Sequence, residues 1–232
     1  MAATVLHVPP SLDRWLGRSR PVERRTGTIT ILFTDLVDST EVMERAGEDE
    51  GRELLSRYLG RLREISHAYV GHEVKNFGDG IEVAFSSVVA ALDAATTMQR
   101  AVHWENRTRP LPLGLRIGLN VCEASIAEGD YWGVSVVIAK RLCDLAEAGQ
   151  ILTSGLVQEL VSQHREWRFR PMGERNMKGI SRPVDTFALA WAPLDHVPTL
   201  PLASSSTTAE QKVLSRFIRS IRHTDQEKGS QT

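Results

Sequence analysis

Cysteine is scarce in this chain: Cys122 and Cys143 are the two present in 232 residues. Both sit in apolar stretches without the spacing of a metal-binding pair. A thiolate metal site and a disulfide framework are therefore set aside, and both read as reduced core residues of a cytosolic protein. An excess of either charge sign is also missing. The 28 Lys and Arg residues face 29 Asp and Glu, a formal net charge of -1, which gives no overall attraction to a nucleic acid polymer or an acidic membrane. No hydrophobic run approaches the ~20 residues that cross a bilayer, and the N-terminus lacks an apolar signal segment with a cleavage site. The expectation is a cytoplasmic protein with one full domain and extensions, since a domain takes roughly 150 residues.

What is present divides the chain into three. Residues 1–26 contain the pair Pro9-Pro10 and the basic run RSRPVERR and read as an N-terminal extension. Residues 27–192 carry the regular hydrophobic patterns. Residues 193–232 open with Pro193, Pro198, Pro201 and SSSTT, a linker composition, and end in an amphipathic helix with Val213, Leu214, Phe217, Ile218 and Ile221 opposite Lys212, Arg216, Arg219 and Arg222. Such a helix suits a membrane surface, a partner or its own domain.

In the central region, the run Ile29, Thr30, Ile31, Leu32, Phe33 predicts a buried strand. Residues 41–69 repeat apolar positions at helical intervals with a break near Gly47, which predicts two consecutive helices. In HEVKNFGDGIEVAF, Val74 and the alternating Ile81, Val83 and Phe85 flank Gly78, Asp79 and Gly80, the pattern of a β-hairpin. A helix over 88–104 and an alternating strand over 113–121 follow, then a turn at EGDYWG and a helix from Val134 stopping at Gly149. A short strand at Ile151 and Leu152, a helix over 155–162 and strands around 167–169 and 186–191 complete the region. This order predicts an α+β sandwich with helices on one sheet face.

Charged residues fall at the ends of these elements. Asp35 follows the first strand, where a carboxylate is costly to desolvate unless a cation meets it. Asp79 lies in the hairpin turn with Lys75 just before it, Asp130 lies in EGDYWG, and Arg141 is on the next helix. Two hard carboxylates from separate segments suit a shared Mg²⁺ or Mn²⁺, and paired ions ~3.5–4 Å apart serve phosphoryl transfer. Taken singly, each residue has a plainer explanation. Aspartates are common in turns, Asp38 or Ser39 can cap the helix after the first strand, and Arg141 can be a solvated helix residue.

Taken together, FTDLVDST, KNFGDGIEVAF, LRIGLNVCEASIAEGDYWG and AKRL, in this order, resemble the class III adenylate/guanylate cyclase catalytic domain. The late MKGISRPVDTFAL resembles the closing segment of its bacterial members. The resemblance runs from about Gly27 to Ala190 and implies the family's ferredoxin-like, palm-type sandwich. It implies that Asp35 and Asp79 bind two divalent cations, Mg²⁺ or Mn²⁺. It implies a phosphate cradle around Asp38, Ser39 and Thr40, in keeping with the affinity of helix N-termini for anions. Lys75 and Asp130 would select adenine, the ammonium donating to a ring nitrogen and the carboxylate accepting from the amine. Arg141 would be the transition-state arginine. The implied reaction is attack of the ATP ribose 3′ hydroxyl on the α-phosphorus, giving cyclic AMP and pyrophosphate. Because the family's sites form between two catalytic domains, a homodimer with two equivalent sites is implied, with Trp104, Tyr131 and Trp132 as candidate interface aromatics. Lys178 is a further candidate for the triphosphate.

The chain also departs from the family. Val137 stands where the family has asparagine four positions before the arginine, Lys140 stands where a small residue is usual, and NVCE, with Cys122, replaces a glycine-containing turn. Valine donates no hydrogen bond. By analogy with a lost oxyanion donor, the rate would fall by about 10² to 10³. Two classes of function stay open: a slow adenylate cyclase, and a catalytically degenerate module that binds nucleotide or regulates by dimerisation. Cyclase action on another nucleotide is the third reading.

Overall fold

The computed structural model describes residues 25–107, 112–127, 130–164 and 166–191. The expected N-terminal extension up to residue 24, the linker and the terminal amphipathic helix lie outside the described residues. The elements are β1 (Arg25–Val37), α1 (Ser39–Ala46), α2 (Glu48–Ala68), β2 (His72–Asn76), β3 (Ile81–Phe85), α3 (Val88–Asn106), β4 (Gly114–Ala127) and β5 (Asp130–Trp132). They continue with α4 (Val134–Leu145), β6 (Ile151–Ser154), α5 (Gly155–Leu160), β7 (Phe169–Arg175) and β8 (Val184–Leu189). The strands form one sheet in the order β2-β3-β1-β4-β6-β8-β7, with β5 paired to β4. β1 is antiparallel to both β3 and β4, and β4 is parallel to β6. No described helix is long and apolar enough to cross a membrane.

Strand alternation sends side chains to two cores. Leu32 and Leu36 of β1 join Leu115, Ile117 and Leu119 of β4 against the apolar stripe of α2, which includes Leu55, Tyr58, Leu62 and Ile65. Ile31 and Phe33 point the other way and pack with Cys122, Ala139 and Cys143. Helix α4 therefore covers the face opposite α2 and α3, which corrects the expectation of helices on one face. The cause is local: a Cβ at Gly118 would lie 2.8 Å from Cys143 Cα and overlap the α4 backbone, so glycine lets α4 sit directly on β4. Asn106 closes the connection from α3 to β4, donating to the Leu113 carbonyl at 2.8 Å and accepting from its N–H at 3.1 Å, while Tyr58 Oη donates to it at 2.7 Å.

Three further expectations change. The EGDYWG segment is not wholly a turn, because residues 130–132 pair back onto β4 with Ala127 opposite Asp130 and Ser125 opposite Trp132. The long β4 offers a free edge there, and adjacent aromatics favour extended backbone. Helix α4 ends at Leu145, with Ala146 extended, and Gly149 at φ 81° belongs to the following turn. The first late strand begins at Phe169, where the expected one ended. Both cysteines are buried and free. Burial and then the charge of Glu82 push the Cys122 thiol up to about 11, and burial pushes Cys143 to about 12.

Candidate active site

The site is built where the β2–β3 hairpin meets the exit of β1. Asn76 Oδ1 accepts from Gly78 N at 2.9 Å, and Gly78 takes φ 96°, which favours glycine. Gly80 is pressed onto β1 so closely that a Cβ would overlap the Thr34 carbonyl oxygen and lie 3.1 Å from Asp35 Cα. Thr34 Oγ1 accepts from Ile81 N at 2.9 Å and donates to Ile81 O at 3.4 Å, while Leu36 N donates to the Asp79 carbonyl at 2.8 Å. These bonds fix Asp79 beside the end of β1, where Asp35 stands. Asp35, Asp38, Ser39, Thr40, Glu44, Asp79 and Arg116 line a single open cleft of about 610 Å³.

Asp38 precedes α1 with φ 63° and ψ 18°, and its side chain makes no capping bond. The simple capping role considered for Asp38 is thus not realised, and Ser39 is already the first helical residue. A left-handed aspartate costs ~1–2 kcal/mol, and backbone strain of this kind gathers at ligand-binding turns. Its effect is to leave the first turn of α1 without a side-chain cap at the cleft wall, as an anion-binding helix start requires.

Arg116 lies within the alternating strand expected over 113–121, where no sequence signal singles it out. It stands directly opposite Asp35 in the β1–β4 ladder, and its Nε donates to Asp35 Oδ2 at 2.7 Å. Burial lowers the guanidinium pKa, but the hydrogen bond and charge of Asp35 outweigh it and raise the value above its ordinary one. Arg116 Nη1 also donates to the main-chain oxygen of Asp144 near the end of α4, at 3.3 Å. Sequence alternation places Arg116 on one sheet face. The pairing with a strand some eighty positions away is what brings it to Asp35, and periodicity carries no such information.

The other candidates lie elsewhere. Lys75 is exposed on the edge strand β2, opposite Glu82. Asp130 opens β5, and its side chain, like that of Trp132, lies outside the described part. Arg141 is on α4, where its Nη1 donates to Asp144 Oδ2 at 3.1 Å. Neither Lys75 nor Arg141 lines the cleft of its own chain, and neither does Lys178, exposed between β7 and β8. Val137 is 40% exposed on α4. Trp104 carries the Arg107 guanidinium 4.9 Å over its ring, and Tyr131 packs on the Ile31 and Phe33 cluster.

No group of three or more His, Cys, Asp or Glu able to hold a metal occurs among the described residues. The cleft does bring together two hard carboxylates. That donor set fits Mg²⁺ or Mn²⁺, which take one or two carboxylates and complete their shells with water and phosphate oxygens. It does not fit a soft or fully protein-caged metal.

Comparison with known proteins agrees with this geometry. The family described as "Adenylate and Guanylate cyclase catalytic domain" matches residues 22–190. The chain is 30% identical over 173 residues to a putative adenylate cyclase of Rhizobium meliloti, aligning 74% of itself with 29% of that protein. It is 27% identical over 180 residues to a pH-sensitive adenylate cyclase of Mycobacterium tuberculosis, aligning 75% of itself with 43% of that protein. It thus spans less than half of either relative. Among solved structures, the adenylyl cyclase CyaB from P. aeruginosa superposes with TM-score 0.65 at 27% identity, over 72% of this chain and 96% of that one. The guanylyl cyclase Cya2 superposes with TM-score 0.64 at 25% identity, over 78% and 99%. With its sheet, its paired carboxylates and a family match over most of its length, the chain belongs to the adenylate and guanylate cyclase catalytic domain family.

Proposed function

We propose that this protein is an adenylate cyclase, converting ATP to cyclic AMP and pyrophosphate as a cytoplasmic homodimer. The observation that carries the reading is the convergence of Asp35 and Asp79 on one cleft with the uncapped start of α1. The adenylate cyclase names of the two curated relatives support ATP as substrate.

Asp35 and Asp79 would hold two divalent cations, Mg²⁺ or Mn²⁺, which when bound neutralise the triphosphate and strengthen the 3′ hydroxyl as nucleophile. The first turn of α1, from Asp38 to Thr40, receives phosphate oxygens with its main-chain N–H groups. Lys75 donates to an adenine ring nitrogen and Asp130 accepts from the exocyclic amine, whereas the guanine carbonyl would oppose Asp130. The bond from O3′ to the α-phosphorus forms as the bond from that phosphorus to the bridging oxygen breaks. Pyrophosphate leaves and the hydroxyl proton passes to solvent. The Arg141 guanidinium meets the charge developing on the α-phosphate.

A dimer follows from the division of these residues. The cleft lacks Lys75 and Arg141 of its own chain, so a second copy supplies them, and two-fold symmetry makes two equivalent sites. The α4 side of the sheet supports this with exposed apolar side chains: Val134 is 63% exposed, and Phe77 is 50% exposed beside Phe33 at a ring separation of 6.0 Å.

Val137 offers no donor where the family has an amide, so turnover is slow, reduced by about 10² to 10³. The same residue motivates the second reading, a nucleotide-binding or dimerisation module without turnover. Incubating the full chain with Mn²⁺ and each of the four nucleoside triphosphates tests both. The expected product is cyclic AMP from ATP alone. Calorimetric ATP binding without product selects the nucleotide-binding module, a folded dimer with neither binding nor product leaves the dimerisation module alone, and a folded monomer with neither overturns both readings.

A further inference from the structure

Helix α4 carries a second charged group beside Arg141. The Asp144 carboxylate is held at both oxygens: Lys140 Nζ lies 2.7 Å from Oδ1 and Arg141 Nη1 lies 3.1 Å from Oδ2. The spacing makes this work, because Asp144 is one helical turn from both residues, three positions past Arg141 and four past Lys140. Its main-chain oxygen is tied by Arg116, which in turn binds Asp35. Partly exposed ion pairs within one helix contribute little to stability, so folding alone does not account for the cluster.

We infer that Asp144 is a positioning residue: clamped by Lys140 on one oxygen, it fixes the Arg141 guanidinium with the other, and so orients the cation that meets the phosphate. This rests on the cyclase reading above. A long arginine side chain samples many rotamers, and a carboxylate held at one oxygen pivots. Held at both, its plane is set, and the guanidinium bonded to it inherits that orientation. Among the described residues Arg141 Nε is buried and has no acceptor, and the Asp144 contact is the hydrogen bond that anchors the group there. Burial lowers the Lys140 pKa, but the hydrogen bond and charge of Asp144, with smaller help from Cys143 and then Asp35, raise it above its ordinary value. Lys140 therefore stays charged at neutral pH. It also gives a purpose to the lysine at a position where a small residue is usual, one turn beyond the amide that Val137 does not provide.

The test uses full-length protein with Mn²⁺ and ATP, reading kcat and KM separately. Asp144→Asn is expected to lower kcat by about 10-fold with KM within about 2-fold, as for a group that acts on orientation in the transition state. Lys140→Met lowers kcat by a smaller factor, and Lys140→Arg restores it, since a guanidinium can hold the same oxygen. In the double variant Asp144→Asn with Arg141→Ala, kcat is no lower than in Arg141→Ala alone, because the two act as one unit. Wild-type kcat in Asp144→Asn, or additive losses in the double variant, overturn the positioning role while leaving the cyclase reading intact. Absence of product from the folded wild-type dimer overturns both. If Asp144→Asn does not fold, the Lys140→Met and Lys140→Arg pair decides: loss and rescue support the role, and unchanged kcat in both overturns it.

Discussion

Gly80→Ala probes how the metal half of the site is held. The added Cβ would overlap the Thr34 carbonyl oxygen and lie 2.8 Å from its carbon, both of them backbone atoms of a buried strand that cannot rotate aside. The hairpin must withdraw from β1 by on the order of 1 Å to reach ordinary contact distance. Three hydrogen bonds cross that gap: two between Thr34 Oγ1 and the Ile81 backbone, and one from Leu36 N to the Asp79 carbonyl. Each contributes ~1 kcal/mol net, and a buried donor left unpaired costs ~1–3 kcal/mol, so the substitution should destabilise by roughly 3 kcal/mol or more. Gly78→Ala is the control in the same turn. It has φ 96° but nothing within 4 Å of its Cβ, so only ~1 kcal/mol of backbone strain is at stake. Equilibrium urea unfolding of both variants measures the difference. Asp79 moves with the hairpin, so Gly80→Ala should also raise the Mn²⁺ concentration needed for half-maximal activity, and Gly78→Ala should not. Equal costs below ~1 kcal/mol for the two variants, with equal metal requirements, would refute the argument.

Asp35→Ala and Asp79→Ala should each reduce metal-dependent product to background while the chain still dimerises by sedimentation; full activity in either removes that residue from the metal assignment. Val137→Asn should raise kcat by up to about 10² without moving the unfolding midpoint, because the side chain is 40% exposed and packs little; an unchanged rate would mean that the amide is not what limits turnover. The buried thiols give a pH signature. Their pKa values are raised from 9.0 to about 11 for Cys122 and about 12 for Cys143, so the folded chain holds the thiol protons more tightly than the unfolded one. Stability from this source is complete below pH 9 and declines as pH rises from there through the folded values. Urea midpoints between pH 8 and pH 11 should fall, and iodoacetamide should leave the native protein unlabelled at pH 8; a flat profile with rapid labelling contradicts the burial.

The carboxylates were legible in the sequence because each sits beside a local signal, Asp35 after an apolar β-branched run and Asp79 inside a glycine turn. The α+β class followed from the alternation of periods. What local patterns could not supply was pairing. Arg116 reaches Asp35 only through the β1–β4 register, and α4 reaches the far face of the sheet only because Gly118 leaves room for its backbone. β5 escaped notice for a related reason, since three residues are too few to show a period and take their conformation from the free edge of β4. Asp144 looks like any acidic helix residue until Lys140 and Arg141 are seen to share it.

The central claim is that the metal half on one chain and the Arg141 half on another make one cyclase site. Asp35→Ala and Arg141→Ala variants, each far below the wild-type rate alone, can be co-refolded at equal concentration and assayed with Mn²⁺ and ATP. In a mixed dimer one site keeps both intact halves and the other loses both. The mixture should therefore recover cyclic AMP formation to about a quarter of the wild-type rate, half of the dimers being mixed with one working site each. A mixture no more active than its parents, beside an active wild-type dimer, would contradict the shared site.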